Sequence, residues 1–248
     1  MIRRQARAFV LRRWPYSESS MALHALTAEE GVMPILAKGV HRPTSGALGV
    51  LDTWALVDMV YGGPEDASML TLFQCRLLNR FSALSTHPDR LIAAGLVAEI
   101  AELAAPAGPP AKDAFHYLFR CFQSLSRTER PLLWLHRALW DGLVLLGLHP
   151  VLDPDEEESA SGYRWFSPAH GGLLAAGSPR PPEAARRLSG PTLAYLRALA
   201  GDRELPPIPA ARAQEILTIL GEFLAYHLER PPRAWMLLLR RKRRRQPA

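Results

Sequence analysis

The chain has 248 residues, of which 48% are hydrophobic, and a formal net charge of +6. This apolar content excludes an intrinsically disordered protein and is enough for one large domain or two small ones. The two cysteines, Cys75 and Cys121, lack metal-ligand spacing, which excludes a disulfide framework and favours a reducing cytoplasmic compartment.

Five segments of strand length occupy the first 80 residues and predict a small β-barrel. Pro34 places the third segment at an edge or at the start of a strand. The fifth could equally open a helix. The five predicted strands are residues 8–14, 21–27, 32–40, 51–61 and 68–78.

A helical period begins after Phe81 and predicts an all-α second domain over residues 81–239. Asp113 is expected to cap one of its helices, and Ser189 directly precedes another. The longest apolar run, residues 139–148, is too short for a membrane span. The predicted helices are residues 88–105, a segment from Asp113 to about 125, 131–148, 190–201 and 209–229. Residues 150–187 combine an acidic run with proline-rich sequence and predict an irregular insert.

The positive charge lies at the two ends of the chain. Residues 1–50 carry a net charge of +4 and residues 240–245 carry +6, whereas the residues between them carry −4. Nearly all the cations are arginines, which contact phosphates with a bidentate fork. Residues 240–248 are expected to form a disordered basic tail.

These cations are the best candidates for a nucleic-acid site, because a small barrel can bind single strands with a positive groove and aromatic platforms. Arg12 and Arg13 are consecutive in a strand and are expected to point to opposite faces. Trp14 and Tyr16 are candidate platforms, whereas Trp54 is expected in the barrel core. The basic candidates are Arg3, Arg4, Arg7, Arg12, Arg13, Lys38, His41 and Arg42, with Arg240, Arg241, Lys242, Arg243, Arg244 and Arg245 in the tail.

Catalytic signatures are absent from the sequence: it has no phosphate-binding loop, no dinucleotide fingerprint and no H-E-x-x-H pattern. His149 and His170 bracket the acidic insert and could hold a metal with Asp153 and Asp155. A solvated acidic loop is the expected structure there. The sequence therefore predicts a protein that is not an enzyme and has no cofactor.

Several collinear motifs resemble the RecO family of bacterial DNA repair and recombination proteins. The opening strand is followed by Y-S-E-S-S at residues 16–20 and A-K-G-V-H-R at residues 37–42. Further along come L-G-L-H-P-V-L at residues 146–152, F-S-P-A-H-G-G at residues 166–172 and a similar closing helix. Each motif is short, and their common order over nearly the whole chain carries the resemblance.

The resemblance implies an α+β protein with an N-terminal OB-fold barrel, a helical domain and a zinc-knuckle-like insert. It implies binding of single- and double-stranded DNA, annealing of complementary strands, and cooperation with RecR in loading a RecA-type recombinase. It also implies binding to the C-terminal tail of the single-strand-binding protein, in the cytoplasm at the nucleoid. Many family members bind zinc through cysteine pairs around the insert, but this insert has no cysteine, so we expect no zinc.

Three other functions are left open by the residues alone. The chain could be a protein scaffold whose basic ends give only nonspecific DNA affinity. It could be a metal-dependent hydrolase built on the acidic insert. It could also associate with a membrane surface through its basic tail, although no adjacent amphipathic helix with a strong basic face supports this.

Overall fold

The computed structural model describes residues 2–47, 49–64, 67–152, 163–174, 185–201 and 203–245. The chain divides into two compact units, Met1–Thr128 and Glu129–Ala248. The division falls later than the predicted boundary at residue 80, because two helices pack with the barrel and belong to the first unit. None of the helices in the described ranges is long and apolar enough to span a membrane.

The first unit is built on a closed five-stranded barrel with the strand order β1-β2-β3-β5-β4. Its strands are β1 (Ile2–Pro15), β2 (Met21–Thr27), β3 (Gly31–Ala37), β4 (Leu56–Gly63) and β5 (Leu70–Asn79). The prediction of five strands is therefore confirmed, although β1 begins six residues earlier than expected. The fifth segment is a strand and not the start of a helix.

Alternation along the strands separates a barrel interior from an outer face. Ala6, Ala8 and Val10 of β1 point into the apolar core, which they share with residues such as Ile35 and Met59. The intervening β1 residues point outward. Two register shifts interrupt the pairing of β4 with β5, and one interrupts the pairing of β1 with β2.

Two helices, α1 (Pro88–Leu103) and α2 (Lys112–Leu125), cover one side of the barrel. Phe9 of β1 is fully buried, and its ring centroid lies 5.1 Å from that of Phe115 and 5.6 Å from that of Phe122. Trp54 was expected in the barrel core, but it is half-buried with its ring 6.0 Å from that of Phe122. Asp113 lies in the first turn of α2 and does not cap it; the N-cap position is Ala111, without a side-chain bond.

The second unit contains four helices in its described ranges, α3 (Pro131–Leu145), α4 (Gly190–Ala200), α5 (Ala210–His227) and α6 (Arg233–Arg245). Ser189, which directly precedes α4, caps it by accepting a hydrogen bond from the Thr192 amide. Buried residues of α3, α4 and α5 form its core, among them Leu139, Leu196 and Leu220.

The insert is more regular than the sequence predicted. Its described part forms a three-stranded antiparallel sheet, with the order β7-β6-β8, from β6 (Tyr163–Ser167), β7 (Gly172–Leu173) and β8 (Arg186–Ser189). Phe166 is buried and its ring lies 5.7 Å from that of Phe223 on α5. The acidic run with Asp153 and Asp155 lies outside the described residues, so the metal-dependent alternative has no structural description.

The predicted disordered tail is wrong for residues 240–245, which continue α6 as helix. Trp235 and Leu238 of this helix are buried. Their burial anchors α6, and the helix then extends through the arginine run, since arginine and lysine have good helix propensity. Residues 246–248 lie outside the described ranges.

Candidate nucleic-acid interface

The outer face of β1, β4 and β5 forms a polar, mainly cationic surface. Cross-strand pairing places Arg7 opposite Asp58, and Asp58 opposite Arg76. In the next row, Gln5 lies opposite Val60, and Val60 lies opposite Gln74. We call this surface the β1–β4–β5 face; its outward residues are Arg3, Gln5, Arg7, Asp58, Val60, Gln74 and Arg76.

A groove with a volume of about 550 Å³ runs between this face and the loop after β3. Lys38 contributes the loop's cation to the groove, and Gln5 and Asp58 line the opposite side. Phe73 and Cys75 belong to the β5 wall. The groove therefore brings together chain segments that are far apart in the sequence.

Asp58 is the acidic residue of this groove, and its charge is largely occupied. The Gln5 amide donates to its two carboxylate oxygens at 3.1 and 3.2 Å. The Arg76 guanidinium lies 3.6 Å from it, with 76% of the Arg76 side chain exposed. An exposed pair at this distance is weak, so Arg76 can turn toward a bound anion at little cost.

Three of the predicted DNA-contacting arginines are held by carboxylates of their own unit. Arg4 forms an ion pair with Glu30, Arg12 lies 2.7 Å from Glu102, and Arg13 lies 3.3 Å from Asp52. Their backbone partners confirm that Arg12 and Arg13 point to opposite faces, since they pair with His24 and Leu23 in turn. These arginines are less available to phosphates than the sequence suggested.

Glu30 connects its ion pair with Arg4 to the barrel core. It also accepts a hydrogen bond from the hydroxyl of buried Tyr61. Burial of the ring, followed by the bond to Glu30, raises the pKa of Tyr61. Tyr61 therefore stays protonated as a donor, and the Arg4–Glu30 pair serves the stability of the barrel end.

Arg7, Lys38 and Arg42 differ from these three because, within the described part of the chain, no carboxylate pairs with them. All three side chains are exposed. Their charges are therefore available to a bound polyanion.

The loop carrying Lys38, His41 and Arg42 is fixed by backbone geometry. Gly39 has a φ of +66°, which glycine adopts without strain, and the Arg42 side chain folds back over it. The amide of His41 donates to the carbonyl of Ser19 at 3.0 Å. This contact joins the loop to the turn between β1 and β2, which also carries Tyr16.

Both predicted aromatic platforms are solvent-exposed. Tyr16 is 61% exposed, and Trp14 is 38% exposed with its ring edge-on to His24 at 5.1 Å. Neither residue lines the groove. They remain candidate platforms at the end of the barrel that carries the Lys38–Arg42 loop.

The basic run of the second unit lies on α6, where Arg240 is exposed and Arg241 is half-buried. The side chains of Lys242, Arg243, Arg244 and Arg245 lie outside the described set. A helical run of this kind offers phosphate affinity without sequence preference.

Gln5, Phe73, Gln74 and Arg76 were missed by the sequence analysis. Gln74 and Arg76 alternate with Cys75 and Leu77, which is a strand signal for outward polar residues. The sequence leaves the fifth segment open between strand and helix, so it assigns no face to these residues.

Comparison with known proteins decides the family. The model for the N-terminal domain of recombination protein O matches residues 1–81, and the model for its C-terminal domain matches residues 85–236. The chain belongs to the RecO family. Its relatives include "DNA repair protein RecO" of a Nocardioides species, 31% identical over 90% of this chain and 93% of the relative. The protein of that name from Rubrobacter xylanophilus is 30% identical, with 90% of each chain covered.

The RecO family models divide the chain between residues 81 and 85, which is where the barrel ends. The first compact unit is thus the family's N-terminal domain together with the first two helices of its C-terminal domain. Membership of the RecO family identifies the chain as a DNA repair and recombination protein.

The cysteine ligands by which many RecO-family members bind zinc are not present in the insert of this chain. Its two cysteines, Cys75 and Cys121, belong to the first unit and not to the insert. Within the described residues, no group of three or more potential metal ligands lies together. Buried Phe166 and the strand pairing of β6 and β8 hold the described part of the insert instead.

Proposed function

We propose that the chain is a non-enzymatic recombination mediator that binds single- and double-stranded DNA through the phosphate backbone and anneals complementary strands. The unpaired cations Arg7 and Lys38, beside the exposed Arg76, carry this proposal. Backbone contacts orient a strand and leave base edges available for pairing, which annealing requires.

The barrel is proposed to be an OB-fold, on the basis of its five strands and their Greek-key order. The proposal extends to the machinery implied by the family resemblance. The chain would work with RecR to load a RecA-type recombinase onto strands coated by single-strand-binding protein, whose C-terminal tail it would bind. It would act in the cytoplasm at the nucleoid, with the basic run of α6 as an auxiliary contact.

The salt dependence of single-strand binding tests the backbone contacts. If three to six phosphates are neutralised, log affinity falls against log salt with a slope of about −2 to −4. Arg7→Gln is expected to reduce the size of the slope by about 0.7, because one counterion fewer is released. Arg12→Gln is the matched control, since Arg12 already pairs with Glu102. A slope near zero for the wild type would contradict the proposal.

One observation favours the alternative of a protein scaffold: Arg4, Arg12 and Arg13 are occupied within the first unit. A scaffold with incidental basic ends predicts weak DNA binding that disappears when residues 240–248 are removed. The mediator function predicts that binding persists without them.

A further inference from the structure

The proposed function leaves open which surface of the barrel a strand occupies, and the inference below rests on that function. We propose that single-stranded nucleic acid crosses the β1–β4–β5 face, and that one of its bases enters the groove and stacks on Phe73. The site would thus take a nucleobase of any identity together with its flanking phosphates.

The surface that OB-folds commonly offer to oligonucleotides, on strands 2 and 3, is covered in this unit. On β2, the outward residues Ala22 and Leu26 are fully buried. The ring of His24 lies 3.3 Å from Glu102 of α1. The amide of Val32 on β3 donates to the carbonyl of Ala105, just beyond α1. The β1–β4–β5 face carries exposed Arg3, Gln5, Arg7, Gln74 and Arg76 instead.

A β-bulge places Phe73 at this face. Val60 pairs with Gln74 and Tyr61 pairs with Leu72, so Phe73 is the extra residue between them. Bulges redirect a side chain, and they are common beside functional sites. Here the bulge leaves Phe73 next to the outward residue Gln74, and both line the groove.

The surroundings of Phe73 match a nucleotide in shape and in charge. The Arg3 guanidinium lies over the ring, 4.8 Å from its centroid, so a base that stacks on this face must displace it. The groove volume of about 550 Å³ falls within the range of about 300–1,000 Å³ found for small-ligand clefts. Lys38 lines the same groove, and Arg7 lies on the same face two residues after the groove residue Gln5.

Stacking on one aromatic ring suits an annealing protein, because every base has a π-face and the contact is tolerant of sequence. The amides of Gln5 and Gln74 can accept and donate hydrogen bonds, so they impose no single base. The geometry therefore gives base contact without base selection.

The decisive experiment separates stacking from phosphate contact. Fluorescence anisotropy would compare a short oligothymidine with an abasic oligonucleotide of equal length, using wild type and Phe73→Leu in the full chain. Leu keeps an apolar side chain and removes the π-face. We expect Phe73→Leu to weaken oligothymidine binding by roughly 5- to 100-fold and to leave abasic binding unchanged. Leu78→Ala, on the same strand but outside the groove, is the matched control.

The outcomes separate failure of this site from failure of the proposed function. Equal binding of oligothymidine by wild type and Phe73→Leu would overturn the stacking site, while the proposed function would survive. Binding of neither oligonucleotide by the wild type would overturn both. If Phe73→Leu weakens binding of an acidic aromatic peptide but leaves oligothymidine binding unchanged, the groove is a peptide site and the nucleobase assignment is overturned.

Cys75 supplies a second readout that needs no variant. It lines the groove, whereas the other cysteine, Cys121, is buried. Burial raises the pKa of the Cys75 thiol, so alkylation would be followed at alkaline pH by peptide mass spectrometry. We expect oligothymidine to slow alkylation of Cys75 severalfold more than the abasic strand does. Equal rates with and without oligothymidine would contradict the site.

Discussion

At the scale of single residues, ion pairing decides which cations of the first unit are available to a bound polyanion. Arg4, Arg12 and Arg13 each lie beside a carboxylate, whereas Arg7 and Lys38 have no carboxylate partner within the described chain. A sequence shows the charges but not these partners, because Glu30, Asp52 and Glu102 come close only in the folded unit. The sequence therefore predicts the basic cluster, but it does not show which of these cations are paired with carboxylates.

Buried His136 of the second unit gives a pH-dependence prediction. Its Nε2–H donates to the carbonyl of Ala213 at 2.8 Å, and its Nδ1 accepts from the Tyr195 hydroxyl at 3.0 Å. Burial lowers the pKa of His136 to about 4, which the bond to Ala213 only partly opposes. In the unfolded chain the His136 imidazole therefore takes up a proton near pH 6.5, whereas in the folded unit it does so only near pH 4.

The stability that depends on neutral His136 is thus complete above the unfolded pKa and is lost as the pH falls toward 4. The loss from this residue is roughly 3 kcal/mol. Denaturant unfolding at neutral pH and near pH 4 measures it. His136→Gln should reduce the pH-dependent loss relative to wild type, whereas Tyr195→Phe should retain most of it. An identical pH dependence in wild type and His136→Gln would refute this account.

At the scale of elements, the turn between β2 and β3 sets how the first unit closes on its helices. Gly31 has a φ of +65°, and a Cβ at this position would lie 2.1 Å from the carbonyl oxygen of Pro106. The backbone amide of Gly108 donates to the backbone carbonyl of Glu30, the neighbour of Gly31. The turn and the segment after α1 therefore fit together only without a side chain at residue 31.

Gly31→Ala is expected to destabilise the first unit by roughly 2–4 kcal/mol, because left-handed strain and overpacking add together. Gly49→Ala is the matched control. Its φ is +72°, but a Cβ there meets nothing within 4 Å, so only the strain of about 1–2 kcal/mol applies. Thermal unfolding of the two variants measures the difference. Equal losses of stability in the two variants would show that the backbone at Pro106 moves away from the added Cβ without an energetic cost.

Helix α6 packs closely against α5 where Trp235 meets Gly221. A Cβ on Gly221 of α5 would lie 2.2 Å from the ring of Trp235, so the indole rests against the bare backbone. We expect Gly221→Ala to cost about 1–3 kcal/mol in the wild type, since the ring must move. In a Trp235→Leu background the same change should be neutral or stabilising, because alanine is the better helix former. Additive free energies in this double-mutant cycle would argue against the contact.

Regular elements were largely predictable from the sequence, and their interruptions were not. Period-two patterns located all five barrel strands, although β1 begins six residues earlier and β4 five residues later than predicted, and period-3.6 patterns located helices such as Pro88–Leu103 within a few residues. The bulge at Phe73 depends on pairing with β4, which no local pattern encodes. The small sheet of the insert joins Tyr163–Ser167 to Arg186–Ser189 across a long separation. Helix α6 was missed because its basic half resembles a solvated tail.

At the scale of the whole molecule, the charge pattern has two separate parts. The first unit carries cations on a barrel face and in the Lys38–Arg42 loop, and the second unit carries a cationic run on α6. We expect the first unit to bind DNA and to anneal complementary strands, with the run at 240–245 as an auxiliary polycation.

Annealing of two complementary labelled oligonucleotides, followed by energy transfer, tests this assignment most directly. The comparison is between the full chain and a version ending at Leu239, which keeps the buried anchors Trp235 and Leu238 of α6. The account predicts that both proteins accelerate pairing, since the barrel face is intact in each. Acceleration by the full chain alone would contradict it and would reduce the activity to a generic effect of the basic run.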